Sequence, residues 1–534
     1  MKDLIIRGPD CVHVPLKLGF AEYFFHKATD IGNKIFQIDG NTEKVETYGQ
    51  VKTRTTRLAL GLKQLGFKPK DVSFLCCHNG SDNIIPVLAT LYLGGRVSSG
   101  DPRQTADDSR YLMEQVEPQV IFVEERSVQM IEEALKGSEL HPRIIVIGDS
   151  DKYLTMKKLE EPHHDEAEFT PVKQTEDDIA FILFSSGTTS AQKGIYISNR
   201  FALNCGSIWK EGGNAVPGVT MHFTSFYWII AIAMTSFCMI TESAKVVGKN
   251  ISAERYLKLV SKYKITFTIC SNTFTYQLTN LDEKIRKKYD TTSLISFAVG
   301  GASVQLSQLL KLRQILPHTK VTMGYGSSEN GMISGFNLRE ENAINSKPLS
   351  SGTPVPGLEL KVVDLESGKL LGPNQQGEIR VKSRYTMSGY HKLNADDVFD
   401  ENGFMKIGDY GYYDEDKYVY VLGRLKEMFK YQFFQILPET IEQMLIKHPA
   451  VQEAVVFGVP HAEDNNHPGA VVTLKPNVQV TPGELIEYCH SKVADYRKLR
   501  AGLVIMDAIP KTVTGKVQRR LVRDIFIKMK SEKS

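Results

Sequence analysis

Residues 179–194 read IAFILFSSGTTSAQKG, an apolar run that breaks at Ser185 into glycine and hydroxyl side chains and closes on Lys193 and Gly194. The segment FSSGTTSAQKG, 184–194, has little with which to fill a core, so it is a loop at the end of a strand. Two readings fit it. Hydroxyl-rich loops are common as plain turns. Alternatively, Gly187 lets backbone N–H groups approach an anion, Ser185, Ser186, Thr188 and Thr189 donate to phosphate oxygens, and Lys193 adds a positive charge. A Walker loop is excluded, because it needs Gly at position 192 and Ser or Thr at 194, which hold Gln192 and Gly194.

Outward from this loop the chain keeps an α/β rhythm. DVSFLCC (71–77), NIIPVLATLYLG (83–94), QVIFV (119–123), the helix-like SVQMIEEAL (127–135) and RIIVIGD (143–149) alternate β-branched runs with helical patterns. ITFTIC (265–270), LISFAVGG (294–301) and KVTMGYG (320–326) continue it, the last two ending in glycine turns. Such order predicts parallel strands with crossover helices, and ligands in these sheets sit at the carboxyl ends of the strands. From 352 the pattern changes to GLELKVVD, GEIRVKS and KYVYVLG, which predicts a smaller β subdomain. Beyond Gly423 helices and strands mix. The expected class is α/β: a large N-terminal domain, 1–422, of parallel-rich α/β subdomains plus a β subdomain, and a small α+β lid, 423–534.

Composition narrows the function. Of 534 residues 42% are hydrophobic and 24% charged, with a net charge of +3, so nothing points to a nucleic-acid partner. Seven scattered cysteines without C-x-x-C read as buried free thiols in a reducing compartment. The N-terminus meets Arg7, Pro9 and Asp10 before any signal-length apolar run, and the C-terminal SEKS only loosely resembles a peroxisomal S-K-L, so the expected location is intracellular, cytoplasmic or peroxisomal. FTSFYWIIAIAMTSFCMI, 223–240, is about long enough to span a bilayer. Four serine and threonine residues inside it and His222 and Glu242 at its edges favour a helix buried in a domain, with no transmembrane segment.

Three further stretches carry polar groups in turns. In GYGSSENG, 324–331, Glu329 could hold Mg²⁺ or merely face solvent. In IGDYGYYDED, 407–416, Asp409 could accept both hydroxyls of a ribose or close an Asx-turn. In PKTVTGKVQRR, 510–520, Lys516 follows a Thr-Gly turn, and a solvated basic face is the ordinary reading. Taken in order with the first loop, with GGASV (300–304), and with GDYGYYDEDKYVYVLGRLKEMFKY (408–431), they resemble the adenylate-forming superfamily of acyl-CoA synthetases, 4-coumarate-CoA ligases and beetle luciferases. KLRAGLVIMDAIPK, 498–511, looks most like insect luciferase-like acyl-CoA synthetases.

The resemblance implies a carboxylic acid substrate, ATP, Mg²⁺ and CoA. A carboxylate attacks the α-phosphorus of ATP, and a thiol then consumes the acyl-adenylate; this asks for positioning and charge neutralisation rather than a nucleophilic side chain. It implies phosphate contacts from Ser185, Ser186, Gly187, Thr188, Thr189 and Lys193. Glu329 would be the Mg²⁺ carboxylate, with Ser328 where the family usually has Thr. Gly300, Gly301 and Ala302 would line the adenine and acyl slot, and Tyr325, beside Gly326, would stack on adenine. Asp409 would hold the ribose hydroxyls, with Arg424 nearby, and Lys516 would stabilise charge during adenylation. The lid would then turn about Gly423 and present Lys430 to the second step.

Departures matter too. Ser190 and Gln192 replace the family's Gly and Pro. Phe433 stands where the family's K-x-x-G-x-Q keeps a glycine beside the pantetheine arm of CoA. Trp228 falls where many relatives have His, and with Met332 and Ile333 it would line an apolar acid pocket. Three functions follow: a fatty acyl-CoA synthetase; a luciferase, with O₂ in place of CoA; and a catalytically silent binding relative.

Overall fold

Two seven-stranded sheets, both mostly parallel, form the body of this computed structural model, which describes residues 4–10, 18–184, 192–301, 304, 306–394, 396–432, 434–461, 463–512 and 515–532. The first runs in the order Gly194–Ser198, Ile179–Phe184, Arg96–Gly100, Val72–Cys76, Val120–Glu124, Arg143–Ile147 and Leu154–Thr155. Only Gly194–Ser198 is antiparallel to its neighbour, Ile179–Phe184. That reversal brings the chain straight back after the loop quoted above, so Lys193 lies at the same sheet end as Phe184.

The second sheet orders Lys320–Met323, Ser296–Gly300, Ile265–Ser271, Val219–His222, Ala244–Val247, Ile35–Asp39 and Val45–Thr47. Between the sheets lie two helices, Asn199–Glu211 and Ile229–Thr241, whose residues join the largest core cluster. They approach closely because residue 206 is Gly: a β-carbon there would stand 2.2 Å from the backbone N of Phe237. The helix Ile229–Thr241 is apolar all round because protein surrounds it. Its Ser236 donates to the Leu203 carbonyl at 2.6 Å and its Thr241 to the Phe237 carbonyl at 2.6 Å, so burial strands neither hydroxyl. Among the described residues no helix is long and apolar enough to cross a membrane.

A five-stranded antiparallel sheet follows, with Ile6–Arg7, Leu358–Val363, Gly377–Ser383, Met405–Tyr413 and Val419–Arg424 in order. Gly423 lies in its last strand, opposite Tyr410. The C-terminal domain is separate and mixed. Its sheet joins Phe434–Ile436, Phe429–Tyr431, Asn465–Leu474 and Val451–His461, with Gly502–Ile505 added in parallel, and the helices Pro438–Ile446, Pro482–His490 and Arg519–Ser531 pack on it. Two apolar clusters fill it, one around Ile441, Leu445, Val456 and Val472, the other around Phe457, Val471, Val522 and Phe526. The α/β class with a separate C-terminal domain is therefore as expected, and all six described cysteines are buried and free.

Candidate active site

The carboxyl ends of Ser296–Gly300 and Lys320–Met323 lie side by side, the Gly324 N–H donating to the Val299 carbonyl at 3.0 Å. Gly300 and Gly324 face each other there; a β-carbon on Gly300 would sit 3.6 Å from the Gly324 carbonyl oxygen. Gly301, at φ +87°, has nothing within 4 Å of such a β-carbon among the described residues. Ala302 lies outside the described residues, as do Ser185, Ser186, Gly187, Thr188 and Thr189.

From the same edge the strand Tyr325–Ser327 turns through Ser328 and Glu329 into Gly331–Gly335. Gly326 is obligatory in that hairpin, since a β-carbon would meet the Gly331 carbonyl oxygen at 2.2 Å. The side chains of Met332 and Ile333 then alternate across the strand. Met332 turns toward Gly324, 3.8 Å from where a β-carbon would stand, whereas Ile333 is fully buried in the main core.

The Tyr325 hydroxyl donates to Asp409 Oδ2, tying this edge to the antiparallel sheet. Arg424, opposite Asp409 on the neighbouring strand, donates from Nε to Oδ1 at 2.8 Å and from Nη1 to the Ile407 carbonyl at 3.3 Å. Asp409 is buried, and burial raises its pKa against the pull of Arg424. Burial likewise raises the Tyr325 hydroxyl well above its ordinary value, with the Asp409 charge adding to it.

Lys516 reaches this group from the C-terminal domain. It sits on a tight turn in which Thr512 N–H donates to the Lys516 carbonyl at 2.7 Å and Lys516 N–H donates to Thr512 Oγ1 at 3.2 Å. Burial lowers the Lys516 pKa, Arg424 and Lys426 lower it further, and Glu329 and Asp409 oppose the shift. Three segments thus bring Lys516, Glu329, Asp409 and Arg424 into mutual electrostatic reach. Lys430, by contrast, is exposed on Phe429–Tyr431.

Two residues in this site carried no sequence signal. Tyr390 hydrogen-bonds the Glu329 carboxylate, and its hydroxyl is pushed up to about 12 by burial and the Glu329 charge. Lys193 places Nζ 5.2 Å over the Tyr390 ring, so Tyr390 bridges the loop lysine to Glu329. Lys426 lies near Arg424, Asp409 and Glu329, and its pKa is lowered by burial first. A lone tyrosine in SGYHK and one lysine in a charged run have no pattern that would single them out.

Beside Lys193 a cleft of about 270 Å³ opens between Tyr111, Gln115, Gln192, His391 and Lys392. Gln192 Nε2 donates to the Tyr227 hydroxyl at 3.0 Å, and Tyr227 meets Trp228 edge-on at 5.3 Å, so Tyr227 and its neighbour Trp228 are fastened to the end of the loop. Glu329 suits a Mg²⁺ ion, a single half-buried carboxylate that leaves phosphate oxygens to complete the shell.

Within the C-terminal part of the chain, close to Gly423, Arg519 is ringed by carboxylates. It pairs with Glu442, with Glu427 at 3.2 Å and with Glu439 at 3.7 Å. Glu439 Oε2 is buried without a hydrogen-bond partner among the described residues, and burial with the neighbouring Glu442 holds the carboxyl well above the usual range. A β-carbon on Gly423 would meet that oxygen at 2.6 Å.

Comparison with known proteins agrees with this geometry. The AMP-binding enzyme family matches residues 24–391, and its C-terminal domain matches 440–516. The chain is 31% identical over 491 residues to a luciferin 4-monooxygenase of Luciola mingrelica, covering 89% of this chain and 88% of the other. It is 28% identical to 4-coumarate-CoA ligase 1 of Narcissus pseudonarcissus, over 98% and 96% of the two chains. The solved luciferase-like enzyme of the nonluminescent Zophobas morio mealworm is similar at 38% identity and a TM-score of 0.76, covering 80% of this chain and 100% of that one. With the family matched over both its parts and a half-buried lysine of the C-terminal domain near Glu329, Asp409 and Arg424, the chain belongs to the AMP-binding, adenylate-forming enzymes.

Proposed function

We propose that this protein activates a hydrophobic carboxylic acid with ATP and passes the acyl group to CoA. The observation that supports it is the half-buried Lys516, from the C-terminal domain, placed in electrostatic reach of Glu329, Asp409 and Arg424. In the first step a carboxylate oxygen of the acid bonds to the α-phosphorus while the bond to the leaving pyrophosphate breaks. Lys516 neutralises the charge that gathers on the α-phosphate and carboxylate oxygens, and Asp409, oriented by Arg424, accepts the ribose hydroxyls. Lys193 and the 185–189 loop hold the leaving phosphates. Mg²⁺, held at Glu329, would supply charge neutralisation on those phosphates. Gly300, Gly301 and Ala302 border the nucleotide and acyl slot, and Trp228 and Met332 give it apolar walls, with Ile333 behind them.

For the second step the domains 1–422 and 423–534 would turn about Gly423, withdrawing Lys516 and bringing in Lys430. The CoA thiol then attacks the acyl carbon, the thioester forms and AMP leaves. Phe433, which lies outside the described residues, is the position where this chain departs most from a CoA ligase.

A second reading is favoured by the 31% identity to a luciferin 4-monooxygenase, namely that O₂ consumes the adenylate instead of CoA. Acid-dependent ATP–pyrophosphate exchange over fatty, aromatic and heteroaromatic acids, followed by CoA, separates these. Exchange followed by thioester is the expected result. Exchange without thioester, with light from a luciferin, supports the second reading. No exchange with any acid overturns both and leaves a silent binding protein.

A further inference from the structure

Glu329, the carboxylate suited to Mg²⁺, is held at two points by one segment, 387–391. The Met387 N–H donates to the Glu329 carbonyl at 2.7 Å, and the Tyr390 hydroxyl donates to the Glu329 carboxylate. A glutamate fixed at its backbone alone still turns about its side-chain torsions, so the hydroxyl is the contact that aims the carboxylate.

The same segment is stitched to Gly194–Ser198, the strand that follows Lys193. Tyr390 forms an antiparallel bridge with Ile195. Around it the Ser388 N–H donates to the Tyr196 carbonyl at 2.9 Å, the Tyr196 N–H to the Gly389 carbonyl at 3.0 Å, and the His391 N–H to the Gly194 carbonyl at 2.8 Å. The His391 ring locks the far side. Its Nε2 lies 2.7 Å from the Gln115 carbonyl, which can only accept, so Nε2 carries the proton and Nδ1 accepts from the Tyr196 hydroxyl at 2.7 Å. Residue 194 is Gly where this approach is tightest: a β-carbon there would stand 2.8 Å from that of His391. On this footing the Tyr390 ring lies 5.2 Å beneath Lys193 Nζ.

From these contacts we propose that Tyr390 is a positioning residue for adenylation: its hydroxyl aims Glu329 at the metal on the leaving phosphates, and its ring seats Lys193 toward the same phosphates. The inference rests on the function proposed above, in which Glu329 holds Mg²⁺ and Lys193 meets the phosphates. Mg²⁺ demands near-ideal octahedral geometry and takes only one or two carboxylates from protein, so the direction of this one matters. Partners that orient a metal ligand typically account for about 10- to 100-fold in metal affinity.

The two tasks are separable by substitution. Tyr390→Phe keeps the aromatic face under Lys193 and loses only the bond to Glu329, whereas Tyr390→Leu loses both. AMP lacks the β- and γ-phosphates on which Lys193 and a metal at Glu329 would act. Its binding therefore reports on the Asp409 side of the site and is indifferent to the aim of Glu329.

The test follows preformed Mn²⁺·ATP, with Mn²⁺ as a paramagnetic stand-in for Mg²⁺, onto the full-length protein by electron paramagnetic resonance. Tyr390→Phe should weaken binding of the complex about tenfold or more, Tyr390→Leu should weaken it further, and both should bind AMP as the wild type does. On a Glu329→Ala background Tyr390→Phe should have no additional effect on Mn²⁺·ATP, since the carboxylate it aims is gone. An unchanged affinity in Tyr390→Phe, a parallel loss of AMP binding, or additive losses with Glu329→Ala would overturn the assignment and leave the adenylation reading standing. A wild type that takes up no Mn²⁺·ATP would overturn both.

Discussion

Asp409 is gripped from two sides, by Arg424 Nε on Oδ1 at 2.8 Å and by the Tyr325 hydroxyl on Oδ2. The two donors come from different sheets, so one carboxylate fixes the antiparallel sheet against the glycine rim of the parallel one. A charge-assisted hydrogen bond contributes about 1.5–3 kcal/mol. Asp409→Ala should therefore weaken ATP binding about 10- to 100-fold by equilibrium titration. Tyr325→Phe, which removes one neutral donor, should cost only a few-fold in the same measurement.

Lys516→Ala should reduce pyrophosphate exchange by about 10² to 10³, the usual loss when a transition-state charge partner is removed. Thioester formation from a supplied acyl-adenylate should change little. Equal loss in both half-reactions would contradict the role given to Lys516.

The pH dependence of the first step follows from the lowered Lys516 pKa. Only the ammonium form neutralises the developing charge, and a depressed pKa means that this form is lost at a lower pH than for a free lysine. Exchange should accordingly fall on the alkaline side before the ordinary lysine range of about 10.4. A rate that holds flat through that range would count against the assignment.

Gly423→Ala should disfavour the arrangement described here, because the added carbon would meet the Glu439 carboxylate at 2.6 Å. Overpacking of this kind costs about 1–3 kcal/mol. The expected outcome is a loss of about tenfold in adenylation with thioester formation from supplied adenylate spared.

Glu439 gives stability a slope. Its folded pKa is raised, whereas a glutamate in the unfolded chain titrates near about 4.3. Between those values the folded protein binds the additional proton, so stability falls as pH rises through the window. Glu439→Gln mimics the protonated form and should melt about 2 °C or more above the wild type at pH 9, an advantage that disappears at pH 5.

Much of the architecture was readable because local pattern and burial coincide. GEIRVKS is a strand over the same residues, 377–383, and the apolar stretch after Trp228 is a helix for the reason its composition suggested. Lys516, Glu329, Asp409 and Arg424 could be named from their motifs, and the fold brings them together. Tyr390 and Lys426 could not be named, because what makes them matter is a neighbour contributed by a distant segment. The contact between Gly423 and Glu439 is of the same kind, set when the helix Pro438–Ile446 docks on the strand Val419–Arg424.

Among the described residues, the C-terminal domain's two apolar clusters contain no side chain from before Phe429. Its interior is therefore self-contained, and repositioning it leaves every one of those contacts intact. On the proposed two-step cycle, the energetic toll of repositioning falls on a thin polar seam, where Lys516 meets Glu329, Asp409 and Arg424. On that proposal salt and protons act at the seam, while thermal robustness rests with the apolar interior.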